Sequence, residues 1–253
     1  MKLICVVSPK GGDGTTLVAA NLAYALALHH GTCLAADMNT HRRTLDLTLG
    51  VSDKIIFDIG DVIADTCDID DAIIKTEFAN LDFVTSSQTA EVDEDFCAKA
   101  LGKILQTVKY DYIIADIPYS FVKTVLPLCD MMIFVSSPSQ ASVRCLAAAC
   151  AETDCFEKTH LIINKIIPEL IENNIWNNAD DICDTCGIVP LGFIPFEPEA
   201  EIIQSRGTPA ASKTVLKLSQ AIGNIAKRIS GEKVCSVDFD YKSPYYKVFK
   251  KFI

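Results

Sequence analysis

The most constraining feature of the sequence is the stretch of residues 8–16, SPKGGDGTT, which joins a strand pattern to a helix pattern. The apolar run of residues 3–7 predicts a short buried strand before it. The Ala/Leu-rich segment of residues 17–28, which lacks Gly and Pro, predicts a helix after it. Glycines in the joining turn let the backbone bend tightly and direct its N–H groups at an anion, and the helix N-terminus adds its positive dipole. The stretch therefore predicts a phosphate-binding loop.

This loop departs from the generic pattern G-x-x-x-x-G-K-[ST] at two positions. Pro9 stands where the first glycine belongs, and Thr15 stands where the phosphate-binding lysine belongs. Thr16 keeps the hydroxyl that would ligate magnesium, and Lys10 lies just before the glycine pair. A plain strand-to-helix turn is the alternative for a glycine-rich stretch of this kind. The early lysine and the hydroxyl together favour the phosphate loop.

Strand-like and helical patterns alternate along the chain, which predicts the fold class. The apolar runs of strand length are residues 3–7, 33–36, 81–85, 112–117, 131–136, 161–164 and 191–194, and helical patterns follow at 91–108, 141–153, 179–186 and from about 212 to 230. Continuous apolar strands alternating with helices are typical of a parallel sheet covered on both faces. We therefore expect an α/β fold, a doubly wound, mostly parallel sheet with helices on both faces, formed by one domain (residues 1–230) with a separate tail (residues 231–253).

Composition narrows the classes of protein that fit. The 253 residues carry a formal net charge of −10, which disfavours the broad basic face that nucleic-acid binding needs. Eleven scattered cysteines in a chain with no export signal at its N-terminus indicate reduced thiols in the cytoplasm. No apolar run is long enough to cross a bilayer.

Two strand patterns end in an aspartate, at Asp37 and Asp116. In open α/β sheets the carboxyl ends of the strands face the ligand crevice, so both carboxylates are expected near the phosphate loop. Asp116 is expected to hold the hydration shell of a magnesium ion. For Asp37 the alternative is that its carboxylate caps the next element.

The order of these motifs resembles the ParA/MinD family of P-loop ATPases, over residues 1 to about 229. That family has a deviant loop, K-G-G-x-G-K-[ST], then D-x-D followed by L-D-L-x-x-G, and D-x-P-x-G. The matching segments here are residues 8–16, 37–50, 116–120, 129–144, 161–165, 191–195 and 206–209. Asn39 replaces the second aspartate and Ser120 the glycine of the later motif. The branch most similar in these segments is MinD, and the lost loop lysine resembles the CpaE/TadZ-type branch, whose members position pilus or secretion machinery.

The resemblance implies an ATP- and Mg²⁺-binding switch that dimerises around nucleotide and positions a division septum, pilus or secretion apparatus through an unknown protein cargo. Lys10 would reach the nucleotide of the partner subunit, and hydrolysis would be slow because Thr15 and Asn39 replace the family's lysine and aspartate. The implied nucleotide-binding residues are Lys10, Gly11, Gly12, Asp13, Gly14, Thr15, Thr16, Asn164 and Pro195, of which Asn164 would read the adenine edge. The implied magnesium residues are Thr16, Asp37 and Asp116. The implied catalytic residues are Lys10, Asp37 and Asn39. A DNA-partition ATPase, disfavoured by the acidic charge, is one alternative.

A second alternative rests on the C-x-x-C pair Cys183 and Cys186. P-loop iron–sulfur carriers have a similar pair that bridges a dimer, but one pair supplies only two ligands. The pair lies in a helical pattern that would bring both side chains to one face. We expect buried thiols rather than a metal site.

The last residues of the chain predict a basic amphipathic helix. Ser243 followed by Pro244 is a helix-start signal. The apolar stripe is Tyr245, Val248, Phe249, Phe252 and Ile253, and the opposite face carries Lys247, Lys250 and Lys251. Such a segment on an acidic protein is typical of a membrane-surface helix, and MinD proteins end in a similar one. The alternatives are docking onto the protein's own surface or into a partner's groove. The sequence thus predicts a cytoplasmic protein bound peripherally to the inner, anionic face of the membrane.

Overall fold

The computed structural model describes residues 1–40, 42–87, 95–152 and 156–234. Its strands are β1 (Lys2–Val7), β2 (Cys33–Asp37), β3 (Ile74–Lys75), β4 (Leu81–Thr85), β5 (Tyr112–Asp116), β6 (Met131–Ser136), β7 (Thr159–Ile166) and β8 (Pro190–Pro195). Its helices are α1 (Thr15–His29), α2 (Leu45–Leu49), α3 (Ile59–Ile63), α4 (Ile69–Ala72), α5 (Phe96–Thr107), α6 (Val122–Val125), α7 (Gln140–Glu152), α8 (Pro168–Glu172), α9 (Ala179–Cys186), α10 (Pro198–Gln204) and α11 (Lys217–Ile229).

The strands form one sheet in the order β3-β4-β2-β5-β1-β6-β7-β8. Only the two-residue β3 pairs antiparallel, with β4; every other pairing is parallel. The predicted doubly wound, mostly parallel fold is therefore confirmed. Strand β1 lies between β5 and β6, with Val6 opposite Asp116, so the loop that follows β1 opens at the carboxyl end of the sheet.

Helices cover both faces of the sheet, and β1 contributes to both cores. Leu3, Cys5 and Val7 pack in one buried cluster, and Ile4 and Val6 pack in the other. This alternation follows from the two-residue period of a strand, and it explains why β1 is apolar at every position. Each buried aliphatic side chain of this kind contributes about 1.5–3 kcal/mol. The strand that leads into the loop is thus held firmly from both sides.

The last helix of the described part begins later than predicted. The sequence indicated a helix from about residue 212, but residues 210–212 form a separate single turn and α11 begins at Lys217. Two oxygens of the Glu197 carboxylate accept the backbone N–H groups of Lys217 and Leu218, at 3.2 and 2.7 Å. These are donors that a helix leaves unsatisfied at its N-terminus, so the acid from a distant loop determines where α11 starts.

The predicted membrane-surface residues, from Tyr245 to Ile253, lie outside the described residues. The boundary at residue 230 stays a prediction, although α11 ends at Ile229. None of the helices in the described ranges has the length and hydropathy needed to cross a membrane.

Candidate functional site

An open cleft of about 760 Å³ lies where the loop after β1 meets the carboxyl ends of β2, β5 and β7. A volume of this size is within the range of about 300–1,000 Å³ that small-ligand and cofactor sites occupy. Its lining residues are Ser8, Lys10, Gly11, Gly12, Gly14, Thr15, Thr16, Asn39, Arg42, Thr44, Asp116, Ile117, Pro118, Tyr119 and Lys165. Apart from Pro9 and Asp13, the residues of the predicted loop line this cleft together with Asp116.

The loop backbone has the conformation that an anion site requires. Gly12 and Gly14 have φ angles of 91° and 94°, in the left-handed region that favours glycine. A Cβ on Gly14 would lie 2.4 Å from Nδ2 of Asn164, so a larger residue there would also clash. Gly14 precedes α1 without a side-chain cap, so the first N–H groups of α1 have no side-chain acceptor at this position. Such uncapped N–H groups and the helix dipole together favour a phosphate.

The Asp13 side chain supports the loop from beneath instead of lining the cleft. It is 2% exposed, and its Oδ1 and Oδ2 accept hydrogen bonds from Ser142 and Ser8, at 2.7 and 3.3 Å. The Asp13 carbonyl accepts from Nδ2 of Asn164 at 2.8 Å. Asp13 can therefore contribute to phosphate binding only through its backbone N–H.

Lys10 folds back onto its own loop in this single chain. Its Nζ lies 3.7 Å from Oδ1 of Asp13 and donates to the Gly11 carbonyl at 3.4 Å. The side chain is nevertheless 37% exposed, so it can turn outward without unburying apolar surface. Its contact with a partner's nucleotide stays a prediction.

Thr16 and Asp116 form the contact that most resembles a magnesium site. The Thr16 hydroxyl donates to Oδ2 of Asp116 at 2.6 Å, and Asp116 is 3% exposed. Burial, with a further contribution from the charge of Asp37, raises the pKa of the Asp116 carboxyl to about 7. A hydroxyl and a carboxylate at the phosphate loop are hard oxygen donors, and Mg²⁺ keeps several waters besides one or two such protein groups. The residues present therefore fit Mg²⁺ bound together with a phosphate.

The Asp37 side chain is fully buried and does not line the cleft, which differs from the expectation that it points at the phosphates. Its Oδ1 accepts the N–H of Asn39 at 2.9 Å, and its Oδ2 accepts those of Thr44 and Leu45 at 3.2 and 3.1 Å. Burial raises the pKa of Asp37 to about 6, against the lowering effect of these hydrogen bonds. The observed role is the capping alternative, since the carboxylate fixes the loop after β2 and the start of α2. Its part in catalysis or magnesium binding stays a prediction.

The residues of the loop after β2 that do line the cleft are Asn39, Arg42 and Thr44. Asn39, predicted as catalytic, accepts the backbone N–H of Arg42 on its Oδ1 at 3.0 Å. Sequence reasoning missed Arg42, whose guanidinium lies over the phosphate loop. The sequence does contain one indication of its role: Thr15 replaces the loop lysine, and Arg42 supplies a basic residue shortly after the end of a strand.

Asn164 and Pro195 lie together beside the cleft. Asn164 is 2% exposed, and with Pro195 it lines a crevice of about 10 Å³ that shares Lys165 with the cleft. Lys165 has a φ of 57° and interrupts the regular pairing of β7 with β8. The crevice has the size of about one water molecule, so an adenine would have to part its walls. Adenine recognition by Asn164 and nucleotide contact by Pro195 stay predictions.

Cys183 and Cys186 are buried thiols, as predicted, at 5% and 4% exposure. A hydrogen bond with Cys150 lowers the pKa of Cys186, while burial raises that of Cys183 to about 12. Within the described ranges, no group of three or more His, Cys, Asp or Glu is placed to hold a metal ion.

The glycine loop lies between the central strand and the first helix of a parallel sheet, and the carboxylate at the end of a neighbouring strand accepts a hydrogen bond from the helix threonine. This combination defines a P-loop nucleotide-binding protein. The family model described as AAA domain matches residues 1–167. The septum site-determining protein MinD of Synechocystis sp. is 31% identical, over 94% of this chain and 92% of that protein, and MinD of Bacillus subtilis is 29% identical, over 91% and 90%. The solved structure of the MinD cell division protein of Aquifex aeolicus aligns with a TM-score of 0.83 and 27% identity, over 94% of this chain and 100% of that one. The chain belongs to the ParA/MinD family of P-loop ATPases.

Proposed function

We propose that this protein is an ATP-dependent dimeric switch of the MinD type, which positions a cellular machine at the membrane surface. The carrying observation is the contact between Thr16 and Asp116, beside a glycine loop that lines an open cleft and leads into the uncapped N-terminus of α1. In that arrangement the loop backbone binds the phosphates, and the two oxygen side chains receive Mg²⁺. A solved relative at 25% identity, MinD of Pyrococcus horikoshii, is complexed with Mg-ADP, which supports the same ligands here.

The chain's own residues favour slow hydrolysis. Thr15 carries no charge toward the phosphates, and Asn39 has no carboxylate with which to polarise an attacking water. The loss of one positioned group costs on the order of a hundredfold in rate. The bound Mg²⁺ would supply charge neutralisation between the phosphates. The residues therefore suit a protein that acts through its nucleotide-bound state and hydrolyses ATP at less than about ten turnovers per second.

The position of Lys10 supports the proposed dimerisation around the nucleotide. Its side chain lines the cleft, is 37% exposed and, among the residues that the structure describes, contacts only its own loop, so a second chain facing the cleft would bring each Lys10 toward the opposite phosphates. A solved structure aligned at a TM-score of 0.83 is the MinC:MinD cell division protein complex of Aquifex aeolicus, in which the relative binds a protein partner, and a protein partner is proposed here too. The relatives named for septum-site determination favour division-site positioning over the pilus or secretion roles of the CpaE/TadZ-type branch.

Membrane binding is proposed for the tail, residues 243–253. The segment from Tyr241 onward carries four lysines and no acidic residue, on a chain whose net charge is −10. Each lysine near an anionic leaflet contributes about 1 kcal/mol, and a helix of about ten residues is not stable alone in water. One tail therefore binds weakly. Two tails on one dimer gain roughly a hundredfold in effective concentration, so membrane binding should follow the nucleotide state.

The test is co-sedimentation with anionic liposomes in ATP and in ADP. The full chain should sediment with liposomes in ATP and only weakly in ADP, and salt should weaken the binding. The Phe249→Glu variant and a chain ending at Tyr241 should lose it, whereas Thr16→Ala should remove its nucleotide dependence. Undiminished binding by the shortened chain would show that the tail is not the anchor. Liposome binding that is the same in ATP and ADP, and unchanged by Lys10→Ala, would show that the protein binds the membrane without being regulated by nucleotide.

A further inference from the structure

The cleft contains more positive charge than the phosphate loop itself provides. Thr15 leaves the loop without its usual lysine, yet three cationic side chains line the cleft, Lys10, Arg42 and Lys165. Lys10 is paired with Asp13 of its own loop. Lys165 lies at the helix end, where its Cε is 3.7 Å from a Cβ built on Gly14. Arg42 lies at the opposite end of the loop.

The Arg42 guanidinium is placed to meet a ligand rather than a protein group. A Cβ built on Gly11 would lie 3.6 Å from Nη1 of Arg42, in ordinary contact distance. The side chain is exposed, and among the residues that the structure describes its guanidinium has no hydrogen-bond or ion-pair partner. A guanidinium offers five donors in a planar fork, which matches the oxygens of a phosphate.

The backbone that carries Arg42 is held in place. Its N–H donates to Oδ1 of Asn39 at 3.0 Å. The same loop is fixed at both ends by the buried Asp37 carboxylate, which accepts the N–H groups of Asn39 and Thr44. An arginine on such a fixed loop loses less freedom on binding than one on an unsupported loop, because the backbone is already ordered.

The position along the loop decides which phosphate Arg42 would meet. The uncapped N–H groups of α1 and the Thr16–Asp116 contact lie at the far end of the loop from Gly11. The backbone N–H groups of a P-loop bind the inner phosphates, α and β, at the helix N-terminus, so the group beyond them, toward Gly11, would be the terminal phosphate. Resting on the proposed function of the cleft as an ATP site, we propose that Arg42 binds the terminal phosphate of ATP in the same chain and so replaces the charge that is missing at Thr15. Arg42 thereby distinguishes ATP from ADP.

The experiment compares ATP and ADP affinities, by titration calorimetry with Mg²⁺, for the unmodified protein and three variants. A charge-assisted hydrogen bond predicts that Arg42→Ala weakens ATP binding about tenfold to a hundredfold while ADP binding stays unchanged. Arg42→Lys should recover part of the loss, because the charge remains but the fork is gone. Arg206→Ala, which removes an exposed arginine outside the cleft, should change neither affinity.

The same titrations in a Lys10→Ala background separate the two cations. Because Arg42 acts within its own chain, its substitution should lower ATP affinity by the same factor in that background. An equal loss for ATP and ADP, or no loss for ATP, would overturn the assignment of Arg42 while leaving the cleft a nucleotide site. Failure of the unmodified protein to bind either nucleotide would instead overturn the proposed function, and this inference with it. Circular dichroism melts of every variant verify that a lost affinity does not reflect lost folding.

Discussion

Replacing Asp116 by asparagine should abolish most of the pH dependence of stability in the nucleotide-free protein. The Asp116 carboxyl is 3% exposed, and burial raises its pKa to about 7 from an unfolded value of 3.8. A group with a raised folded pKa binds its proton more tightly when folded. Its stabilising contribution is therefore complete below about pH 4 and is lost as the pH rises through 7.

The magnitude follows from the size of the shift. From 3.8 to about 7 is about three pH units, and each unit corresponds to 1.36 kcal/mol, so ionising Asp116 costs the folded state up to about 4 kcal/mol. Asp37, with a pKa raised to about 6 by burial, acts in the same direction. Since the charge of Asp37 raises the pKa of Asp116, the two carboxyls titrate as a pair, and removal of Asp116 also eases the ionisation of Asp37.

The assay is urea unfolding in metal-free buffer at a series of pH values from about 4.5 to 8.5. The free energy of unfolding of the unmodified protein should fall by several kcal/mol across this range, and that of Asp116→Asn should fall much less. Asp111→Asn is the matched control, because Asp111 is an exposed carboxyl whose pKa is lowered by hydrogen bonds from Thr32. A carboxyl whose pKa is lowered by folding contributes its full stabilisation above its unfolded pKa and loses it only as the pH falls through the folded pKa. The pH dependence due to Asp111 therefore lies below this window, and the control should leave the slope unchanged. Parallel curves for Asp116→Asn and the unmodified protein would refute the reasoning.

Further substitutions test the loop and the base site. Gly14→Ala should destabilise the protein by about 1–3 kcal/mol and abolish nucleotide binding, because the residue has a φ of 94° and its Cβ would clash with Asn164. The control is Gly223→Ala, which should be neutral or stabilising in thermal melts because a Cβ at that position meets nothing within 4 Å. Ser142→Ala should weaken ATP binding although Ser142 does not line the cleft, since it removes the shorter of the two side-chain hydrogen bonds to the buried Asp13 carboxylate, and unchanged affinity would show that the loop keeps its shape without Ser142. Asn164→Ala should weaken ATP binding by about 1–3 kcal/mol and reduce the preference for ATP over GTP, and equal affinity of the unmodified protein for both nucleotides would contradict base reading at this residue.

Most of the sheet could be predicted from the sequence because buried parallel strands are apolar at every position. Strands β4 and β6 begin and end where their apolar runs do. Strand β3 was missed, since two residues are too few to form a pattern, and an apolar run carries no information on which strands will be neighbours. The start of α11 was misplaced because it depends on Glu197, an acid twenty residues or more before the groups it caps.

The site was predictable as a set of motifs but not as a set of contacts. The strand-end position predicted that Asp37 and Asp116 lie at the carboxyl edge of the sheet, and the structure pairs them directly there. The strand-end position could not distinguish the carboxylate that faces the cleft from the one that caps backbone N–H groups, because that depends on the path of the loop after β2. Arg42 was missed for the same reason, since the sequence shows a basic residue after a strand end, but only the folded loop shows that its side chain lies over Gly11.

The phosphate loop is encoded at the start of the chain but is held in place by residues that are translated much later. Besides the bond from Ser8 within the loop, Asp13 accepts hydrogen bonds from Ser142 and Asn164, which lie 129 and 151 residues further along. A chain still growing on the ribosome therefore exposes its glycine loop long before the loop can take its folded shape. Nucleotide can stabilise the folded protein only through a formed site, so it cannot assist folding until Asn164 has emerged. The segment that the family model matches ends at residue 167, just after this last support.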